Sequence, residues 1–219
     1  MEKLATQLLL SCFFLVLLLL SCPALSQEAD DEKEFNYEEE GQRGPSKWGE
    51  LHKEWSACKK GTMQSPIDLL NERVQVVSHL GRLKRSYKPS YATLKNRGHD
   101  MMLQWHGGAG TLLINGTEYV LKQCHWHSPS EHTIDGERFA LEAHMVHESQ
   151  DGKIAVVGIM YKIGRPDSLL ASVRTVTREQ VKLLRVAVHD DSGTNARPQQ
   201  PINLRTVKLY RPDDENQNP

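Results

Sequence analysis

The chain has 219 residues, which favours a single domain because cores grow as one unit to about 250 residues before chains split. Its 27 Lys and Arg residues balance 28 Asp and Glu residues. This near-neutral charge lacks the basic excess of proteins that bind nucleic acid or an anionic membrane surface, so a small or neutral partner is expected.

The first 26 residues have the pattern of a signal peptide. Lys3 precedes an apolar run from Leu8 to Leu20, interrupted only by Ser11, and small residues follow up to Ser26. The run is shorter than the roughly 20 residues that span a bilayer. Cleavage after Ser26 is therefore predicted, which would make the protein secreted or extracellular. An uncleaved signal anchor is the alternative.

Polar segments flank the predicted domain, which spans residues 37–210. Residues 27–47 are mostly charged and polar, and they predict a loose arm because they bury little apolar area. The acidic part of this arm, residues 27–36, lies outside the domain. Residues 211–219 contain no apolar side chain and are predicted to be a disordered tail.

Short β-like runs dominate the chain from Trp48 onward. Clusters of Gly, Asn, Asp, Pro and Ser separate them, which favours a mainly β fold with a mostly antiparallel sheet, long loops and few short helices. The predicted strands are Met101 to Trp105, Thr111 to Ile114, Glu118 to Leu121, Cys124 to His127, Phe139 to His147 and Ile154 to Tyr161.

One late helix is predicted from its capping signal. Thr177 and Gln180 have capping-box spacing, and they precede an apolar pattern that continues to Val186.

Secretion would leave two cysteines and one glycosylation signal in the mature chain. Removal of the signal peptide leaves Cys58 and Cys124 in a compartment that permits disulfides, where they either pair or stay free. The sequence Asn115-Gly116-Thr117 is an N-glycosylation signal, and Asn-Gly between two alternating runs is also a hairpin signal. Both interpretations place Asn115 on the surface.

Three histidines carry the chemical argument. Because strand side chains alternate, His125 and His127 project from one face while Cys124 and Trp126 project from the other. A neighbouring strand that added His144 would bring three imidazoles together and leave a fourth position open for water, as in a catalytic zinc site. A His-x-His pair alone more often consists of ordinary histidines, so the third histidine is needed for this interpretation.

Two polar residues strengthen the prediction of a metal site. Gln123 lies two residues before His125, and Glu142 lies two residues before His144, so each shares a face with its histidine. Their side-chain oxygens would accept the second ring N–H, as acceptors around zinc-bound imidazole do.

The run from Gln123 to Thr133 resembles the signature of alpha-class carbonic anhydrases, particularly the plant enzymes, in which a small apolar residue often replaces Cys124. The resemblance extends from about Tyr37 to Tyr210. It implies a large twisted sheet around a zinc ion and the reversible hydration of carbon dioxide to bicarbonate and a proton. The other matching segments are Gln64 to Asp68, Asn96 to His99, Leu141 to His147 and Asn195 to Pro198.

The resemblance also implies roles for single residues. His125, His127 and His144 match the zinc ligands, and Glu131 matches an acid that acts through a threonine hydroxyl. His99 matches the proton-shuttle histidine near the cavity mouth, although without the family it would be interpreted as an exposed surface residue. Val146 and Val156 match apolar residues that line the carbon dioxide pocket.

The resemblance breaks inside the domain, after about residue 172. The family continues beyond the segment from Tyr161 to Gly164 to a Ser-Leu-Thr-Thr-Pro-Pro-Cys-Thr stretch, which this chain lacks. An internal deletion would remove the threonine partner of Glu131, part of the pocket wall, two strands and the usual disulfide partner of Cys58. The strand from Ile154 to Tyr161 would then lose a neighbouring strand. Because the three histidines precede the break, zinc binding is expected to survive better than turnover.

Several alternatives stay open on the sequence alone. The chain is a carbonic anhydrase, a non-catalytic secreted binding or storage protein of the same family, or a catalytically impaired splice isoform, which would include one that does not fold stably. A plastid reached through the secretory route is the alternative location. The sequence does not indicate an oligomeric state.

Overall fold

A computed structural model describes residues 34–77, 83–164, 175–188 and 193–210. The predicted signal peptide (1–26), most of the acidic arm (27–36), the tail (211–219) and the segment 165–174, where the resemblance breaks, lie outside the described residues. Within the described ranges, no helix has the length and apolarity needed to cross a bilayer.

The described residues form a mainly β fold, as predicted, with three short α-helices and two 3-10 helices at Lys53–Trp55 and Asn71–Arg73. The helices are α1 (Trp48–Leu51), α2 (Ala57–Lys60) and α3 (Arg178–Ala187). The strands are β1 (Asp68–Leu69), β2 (Val74–Val76), β3 (Lys84–Tyr87), β4 (Ala92–Asn96), β5 (Met101–Trp105), β6 (Gly110–Ile114), β7 (Thr117–His127), β8 (Thr133–Ile134), β9 (Glu137–Arg138), β10 (Leu141–Ser149), β11 (Ile154–Ile163), β12 (Thr175–Val176) and β13 (Val207–Leu209).

Eight of these strands form one large sheet, in which all pairings except that of β11 with β12 are antiparallel. Its central path runs β12, β11, β10, β7, β5 and β4, while β6 joins β7 to β3. Strands β7, β10 and β11 lie side by side, so the predicted histidine strands are neighbours. Two small sheets, β1 with β8 and β9, and β13 with β2, lie outside this path.

Strand β7 differs from its prediction. The sequence predicts two strands separated at Lys122 and Gln123, but residues 117–127 form one continuous strand. The polar residues do not end the strand because a β-bulge accommodates Lys122: Gln123 pairs with Val146 and Leu121 pairs with His147, so the ladder with β10 continues on both sides of it.

Two local predictions are confirmed. Asn115 and Gly116 form the β6–β7 turn with φ values of 49° and 82°, the left-handed pair that a tight hairpin turn requires. At the start of α3, the Gln180 backbone N–H donates to Thr177 Oγ1 at 3.1 Å, and the Thr177 N–H donates to Gln180 Oε1 at 2.9 Å. These two hydrogen bonds complete the capping box.

The core lies on the face of the sheet that carries Cys124 and Trp126. Buried side chains of Cys124, Leu141, Ala143 and Tyr161 form its centre. Helix α3 covers this face with Val181 and Leu184. The histidine side chains, which alternate with these residues, therefore project from the opposite face.

The prediction of a loose arm is wrong for residues 34–47. Tyr37 is only 7% exposed, and its ring packs edge-on against Trp48 at 5.2 Å between centroids. Phe35 packs against the same Trp48 ring, also at 5.2 Å. These aromatic side chains bury enough apolar area to order a segment whose other residues are mostly polar.

Candidate metal centre

Three histidines converge on one face of the sheet, as the strand pattern predicts. His125 and His144 are direct partners across the β7–β10 ladder, and His127 lies two residues along β7. The ring centroids are 5.1 Å apart for His125 and His127, 5.2 Å for His125 and His144, and 4.7 Å for His127 and His144. All three residues are at most 9% exposed.

Each imidazole contacts an oxygen acceptor through one ring nitrogen. His125 Nδ1 lies 3.0 Å from Gln123 Oε1, and His144 Nε2 lies 2.8 Å from Glu142 Oε1, which are the two contacts predicted from the sequence. His127 Nδ1 lies 2.6 Å from the backbone oxygen of Asn195. When each of these nitrogens carries the proton, the second nitrogen of each ring presents its lone pair to a metal.

The donor set fits zinc. His127 Nε2 is buried and has no hydrogen-bond partner among the described residues, which is costly unless a metal or water occupies the site. Burial, and then the charges of His127 and His144, hold the pKa of His125 well below its ordinary value, so this ring is neutral at pH 7. Three imidazole nitrogens within 4.8 Å of one another match the protein ligands of a catalytic zinc site.

The Glu142 carboxylate contacts both His144, a member of the triad, and His132, which lies outside it. Its side chain is 1% exposed, and Oε1 lies 2.8 Å from both His144 Nε2 and His132 Nδ1. Oε2 accepts the backbone N–H of His132 at 2.8 Å. Burial raises the pKa of Glu142, but the hydrogen bonds from His132 and His144 outweigh it and leave the pKa far below the ordinary range. The carboxylate is therefore charged and held by several donors.

Asn195 connects His127 to the surrounding loops. Its amide oxygen accepts the Ser128 N–H at 2.7 Å, and its amide nitrogen donates to the backbone oxygens of His99 at 3.0 Å and Trp126 at 2.9 Å. Its own backbone oxygen is the acceptor for His127. Asn195 thus orients the His127 ring and connects the chain at His99 to the chain at Trp126 and Ser128. The sequence analysis did not predict this role.

Glu131 lies beside the triad and is fixed by the chain after Asn195. Its Oε1 accepts the Arg197 backbone N–H at 2.9 Å, and its Oε2 is 3.7 Å from His127 Nε2. The Arg197 side chain is buried and donates to the backbone oxygens of Ser65 and Cys58, each at 2.8 Å. No described threonine hydroxyl contacts the Glu131 carboxylate.

His99 is buried, so the solvent exposure expected from its position before Asp100 is wrong. It is 5% exposed, and its ring lies 4.5 Å from that of Phe35. Its Nε2 is 3.9 Å from Asp100 Oδ2. The segment that contains Phe35, which was predicted to be a loose arm, therefore covers the His99 ring.

The two valines assigned to the pocket are neighbours, but the described residues leave the pocket open. Val146 and Val156 are Cα partners across the β10–β11 ladder, on the face of His144. Val146 is half-buried, whereas Val156 is 51% exposed.

Gly158, the partner of His144, is also exposed, and a Cβ there would lie 3.1 Å from Glu142 Oε1. A glycine at this position therefore leaves room for the carboxylate.

The two cysteines do not pair. Cys124 is buried in the core and Cys58 is half-buried, and both thiols are free. Burial raises the pKa of Cys124 to about 12, so this thiol stays protonated. Asn115 is exposed at the hairpin turn, as both sequence interpretations require.

Comparisons with known proteins identify the family of this chain. Residues 43–171 match the family model described as eukaryotic-type carbonic anhydrase. The chain is similar to alpha carbonic anhydrase 7 of Arabidopsis thaliana, with 49% identity over 93% of this chain and 97% of the relative.

Solved structures show the same fold. A dioscorin complexed with ascorbate superposes with a TM-score of 0.80 and 37% identity, over 84% of this chain and 100% of the dioscorin. The alpha-carbonic anhydrase of Thermovibrio ammonificans, in complex with sulfanilamide, superposes with a TM-score of 0.70 and 27% identity, over 80% and 98% of the two chains.

Proposed function

Because this chain belongs to the eukaryotic-type carbonic anhydrase family, we propose that it binds zinc through His125, His127 and His144 and hydrates carbon dioxide reversibly to bicarbonate and a proton. The observation that carries the proposal is the matched set of three imidazoles and three oxygen acceptors. A metal-binding histidine normally has such an acceptor on its second nitrogen.

The zinc ion would act as a Lewis acid and would lower the pKa of a bound water molecule to about 7. The protein orients the three ligands. Gln123 fixes the His125 tautomer, the backbone oxygen of Asn195 fixes that of His127, and Glu142 fixes that of His144. Val146 and Val156 provide the apolar surface on the same face for an uncharged substrate.

Glu131 and His99 have proposed roles beside the ligands. Glu131, held by the Arg197 N–H, is positioned to accept a hydrogen bond near the metal. His99 is the proposed acceptor for the proton that hydration releases. Because His99 is 5% exposed, the Phe35 segment must move, or a neighbour must relay the proton, before it reaches buffer.

A non-catalytic binding role is the second candidate, and the open pocket favours it. Val156 is 51% exposed, so the described residues do not enclose a small substrate from the β11 side. The dioscorin to which this chain is similar has been solved with ascorbate bound. A secreted member of the family that binds a small polar molecule at this face is consistent with both observations.

We also propose that an internal deletion explains the open pocket. The alignment with the Arabidopsis relative extends over 267 residues although the chain has 219, which requires gaps in this chain. The family model ends at residue 171, close to the break after about residue 172.

The proposed domain is 37–210, and the N-terminal pattern and the Asn115 signal support a secreted glycoprotein.

Stopped-flow carbon dioxide hydration, measured on the zinc-loaded full chain, tests the proposal. His125→Ala removes a ligand, and His106→Ala, which changes an exposed histidine, is the control. Hydration that requires bound zinc and disappears only in His125→Ala supports the enzyme. Zinc near one per chain without hydration supports the binding protein, and the absence of both contradicts either function.

A further inference from the structure

The charged residues of this chain are unevenly distributed. The net charge is only −1, yet residues 84–117 contain a single acidic residue, Asp100. Asp100 is 1% exposed and its Oδ1 accepts the Arg97 Nε–H at 2.8 Å, so this buried pair adds no net charge to the surface. The other four cations of the stretch are all exposed, namely Lys84, Arg85, Lys88 and Lys95. Positive charge is therefore concentrated locally in a chain whose overall composition is balanced.

The four cations lie along one edge of the large sheet. Strand β6 pairs with the first part of β7, and β5 pairs with a later part. Outside them, β3 pairs with β6 and β4 pairs with β5. Because all these pairings are antiparallel, β3 and β4 run in the same direction, one after the other, and no described strand pairs with their outer sides. Residues 84–96 therefore form one continuous edge, the basic edge, which is up to roughly 40 Å long at about 3.3 Å per residue.

The cations of the basic edge are available to a partner. None of the four forms an ion pair with an acidic residue in the described part of the chain. Leu113 pairs with Lys84 on one side and with Glu118 on the other, so two strand spacings, about 10 Å, separate the Cα atoms of Lys84 and Glu118. Lysines on an edge strand also prevent strand pairing, but that role does not require acidic residues to be absent from the whole stretch.

An exposed tyrosine lies in the middle of the basic edge. The Tyr91 side chain is 90% exposed. Its backbone is nevertheless held in place, because its oxygen accepts the His106 N–H at 2.8 Å and Ser90 Oγ donates to the His106 oxygen at 2.8 Å. An aromatic ring on an ordered backbone presents a flat apolar face, on which the C–H groups of a sugar ring can pack, and a hydroxyl for hydrogen bonds.

We propose that the basic edge binds a linear anionic polysaccharide whose sugar units carry carboxylates. Cations spaced along one edge match a single extended polymer chain, whereas the surface of an anionic bilayer is a plane and attracts a basic cluster or face. The Tyr91 ring matches a sugar ring. The predicted signal peptide would take the chain out of the cell, where polysaccharides are common polyanions and nucleic acids are not. The proposal does not involve the histidine triad and is independent of zinc binding and hydration.

Fluorescence anisotropy of a labelled oligogalacturonate, long enough to span the basic edge, tests the proposal when the full chain is added. Because cations of the protein release counterions from the polymer, the affinity should fall at least about tenfold between roughly 20 and 150 mM salt. An uncharged oligosaccharide of the same length should not bind. Equal binding of the charged and uncharged sugars would overturn the proposal.

Two double variants with the same change in net charge locate the binding. Lys84→Gln with Lys88→Gln should weaken binding at least about fivefold at low salt and reduce its salt dependence. Lys53→Gln with Lys60→Gln, which changes two exposed lysines elsewhere, is the matched control and should bind as the unchanged chain does. Tyr91→Ala should weaken binding without changing the salt dependence, since the ring is uncharged. Equal losses in the two double variants would show that net charge and not the basic edge binds the polymer, which would overturn the proposal.

Lysine acetylation, measured by mass spectrometry, locates the polymer without a substitution. Saturating oligogalacturonate should slow the modification of Lys84, Lys88 and Lys95 and leave that of Lys53 and Lys60 unchanged. Equal protection of all five lysines would overturn the proposal. Tighter binding to phosphatidylserine vesicles or to a DNA strand than to oligogalacturonate would assign the edge to another polyanion and overturn it as well. The absence of binding would leave the four cations only the role of preventing strand pairing, which also contradicts the proposal.

Discussion

Glu142 Oε1 lies 2.8 Å from His144 Nε2 and, on its other side, 2.8 Å from His132 Nδ1. A single buried carboxylate oxygen thus connects one member of the triad to a histidine outside it. This contact sets the tautomer of His144 and makes its Nδ1 the nitrogen that faces the other two imidazoles.

Glu142→Gln is expected to weaken zinc binding by about 10- to 100-fold, since loss of such a second contact typically has this effect. The amide keeps the size of the side chain but carries no charge, so it holds the ring N–H less strongly. Competition with a chromophoric chelator measures the affinity. Glu148→Gln, which changes a partly exposed glutamate that lies on the same strand and pairs with Lys122, is the control. Equal losses in the two variants would show that the contact with His144 does not matter.

Asn195→Ala is expected to lower the free energy of unfolding by about 2 to 4 kcal/mol, because several buried groups lose their partners. The Ser128 N–H and the backbone oxygens of His99 and Trp126 would all be left without the amide. Urea denaturation of the metal-free chain measures the change. A loss below about 1 kcal/mol, the value for an ordinary surface substitution, would contradict the role of Asn195 as an anchor.

His147 is expected to make the protein less stable in acid. It is 0% exposed, Tyr87 Oη lies 2.8 Å from its Nε2, and burial lowers its pKa below 6.5. Between the lowered pKa and 6.5 the unfolded chain binds more protons than the folded chain, so the free energy of unfolding falls as the pH falls through this window. Above 6.5 the contribution does not change with pH.

The comparison of His147→Gln with the unchanged chain isolates this effect. The variant should be less stable at pH 7.5 by about 1 to 3 kcal/mol, since Tyr87 loses its ring partner. The difference should shrink as the pH falls below 6.5, because only the unchanged chain loses stability through His147. Parallel curves of unfolding free energy against pH would refute the assignment.

Thr117→Ala is expected to abolish N-glycosylation of Asn115 when the full chain is expressed in a secreting eukaryotic cell. This substitution removes the signal without changing the residue at φ 49°, whereas a substitution of Asn115 would also strain the turn. Intact-mass measurement before and after treatment with an endoglycosidase detects the glycan. A glycan that persists in Thr117→Ala, or is absent from the unchanged chain, would argue against glycosylation at this site.

Local patterns predicted much of the fold and site. Alternation along a strand placed His125 and His127 together, and a two-residue offset placed Gln123 and Glu142 at their ring nitrogens. The capping box at Thr177 and the turn at Asn115 likewise follow from chemistry within a few residues of each other. Such contacts can be predicted because the backbone period alone fixes which side chains meet.

Long-range contacts could not be predicted in the same way. Asn195 reaches His127 across 68 positions of the chain, and His132 reaches Glu142 across the β8–β9 hairpin, so no periodic pattern connects them. The burial of His99 depends on Phe35, an aromatic residue in a segment whose polar composition predicts disorder. Sequence composition averages over such single residues, although one aromatic side chain can order a segment by burying its ring.

X-ray absorption at the zinc edge of the purified full chain tests the central claim, that the histidine triad binds the metal. The account predicts one zinc ion per chain with three nitrogen ligands and one oxygen ligand at about 2.0 to 2.1 Å, and loss of this signal in His144→Ala. A zinc ion with a sulfur ligand, which would indicate a cysteine, or a spectrum unchanged in His144→Ala would contradict it.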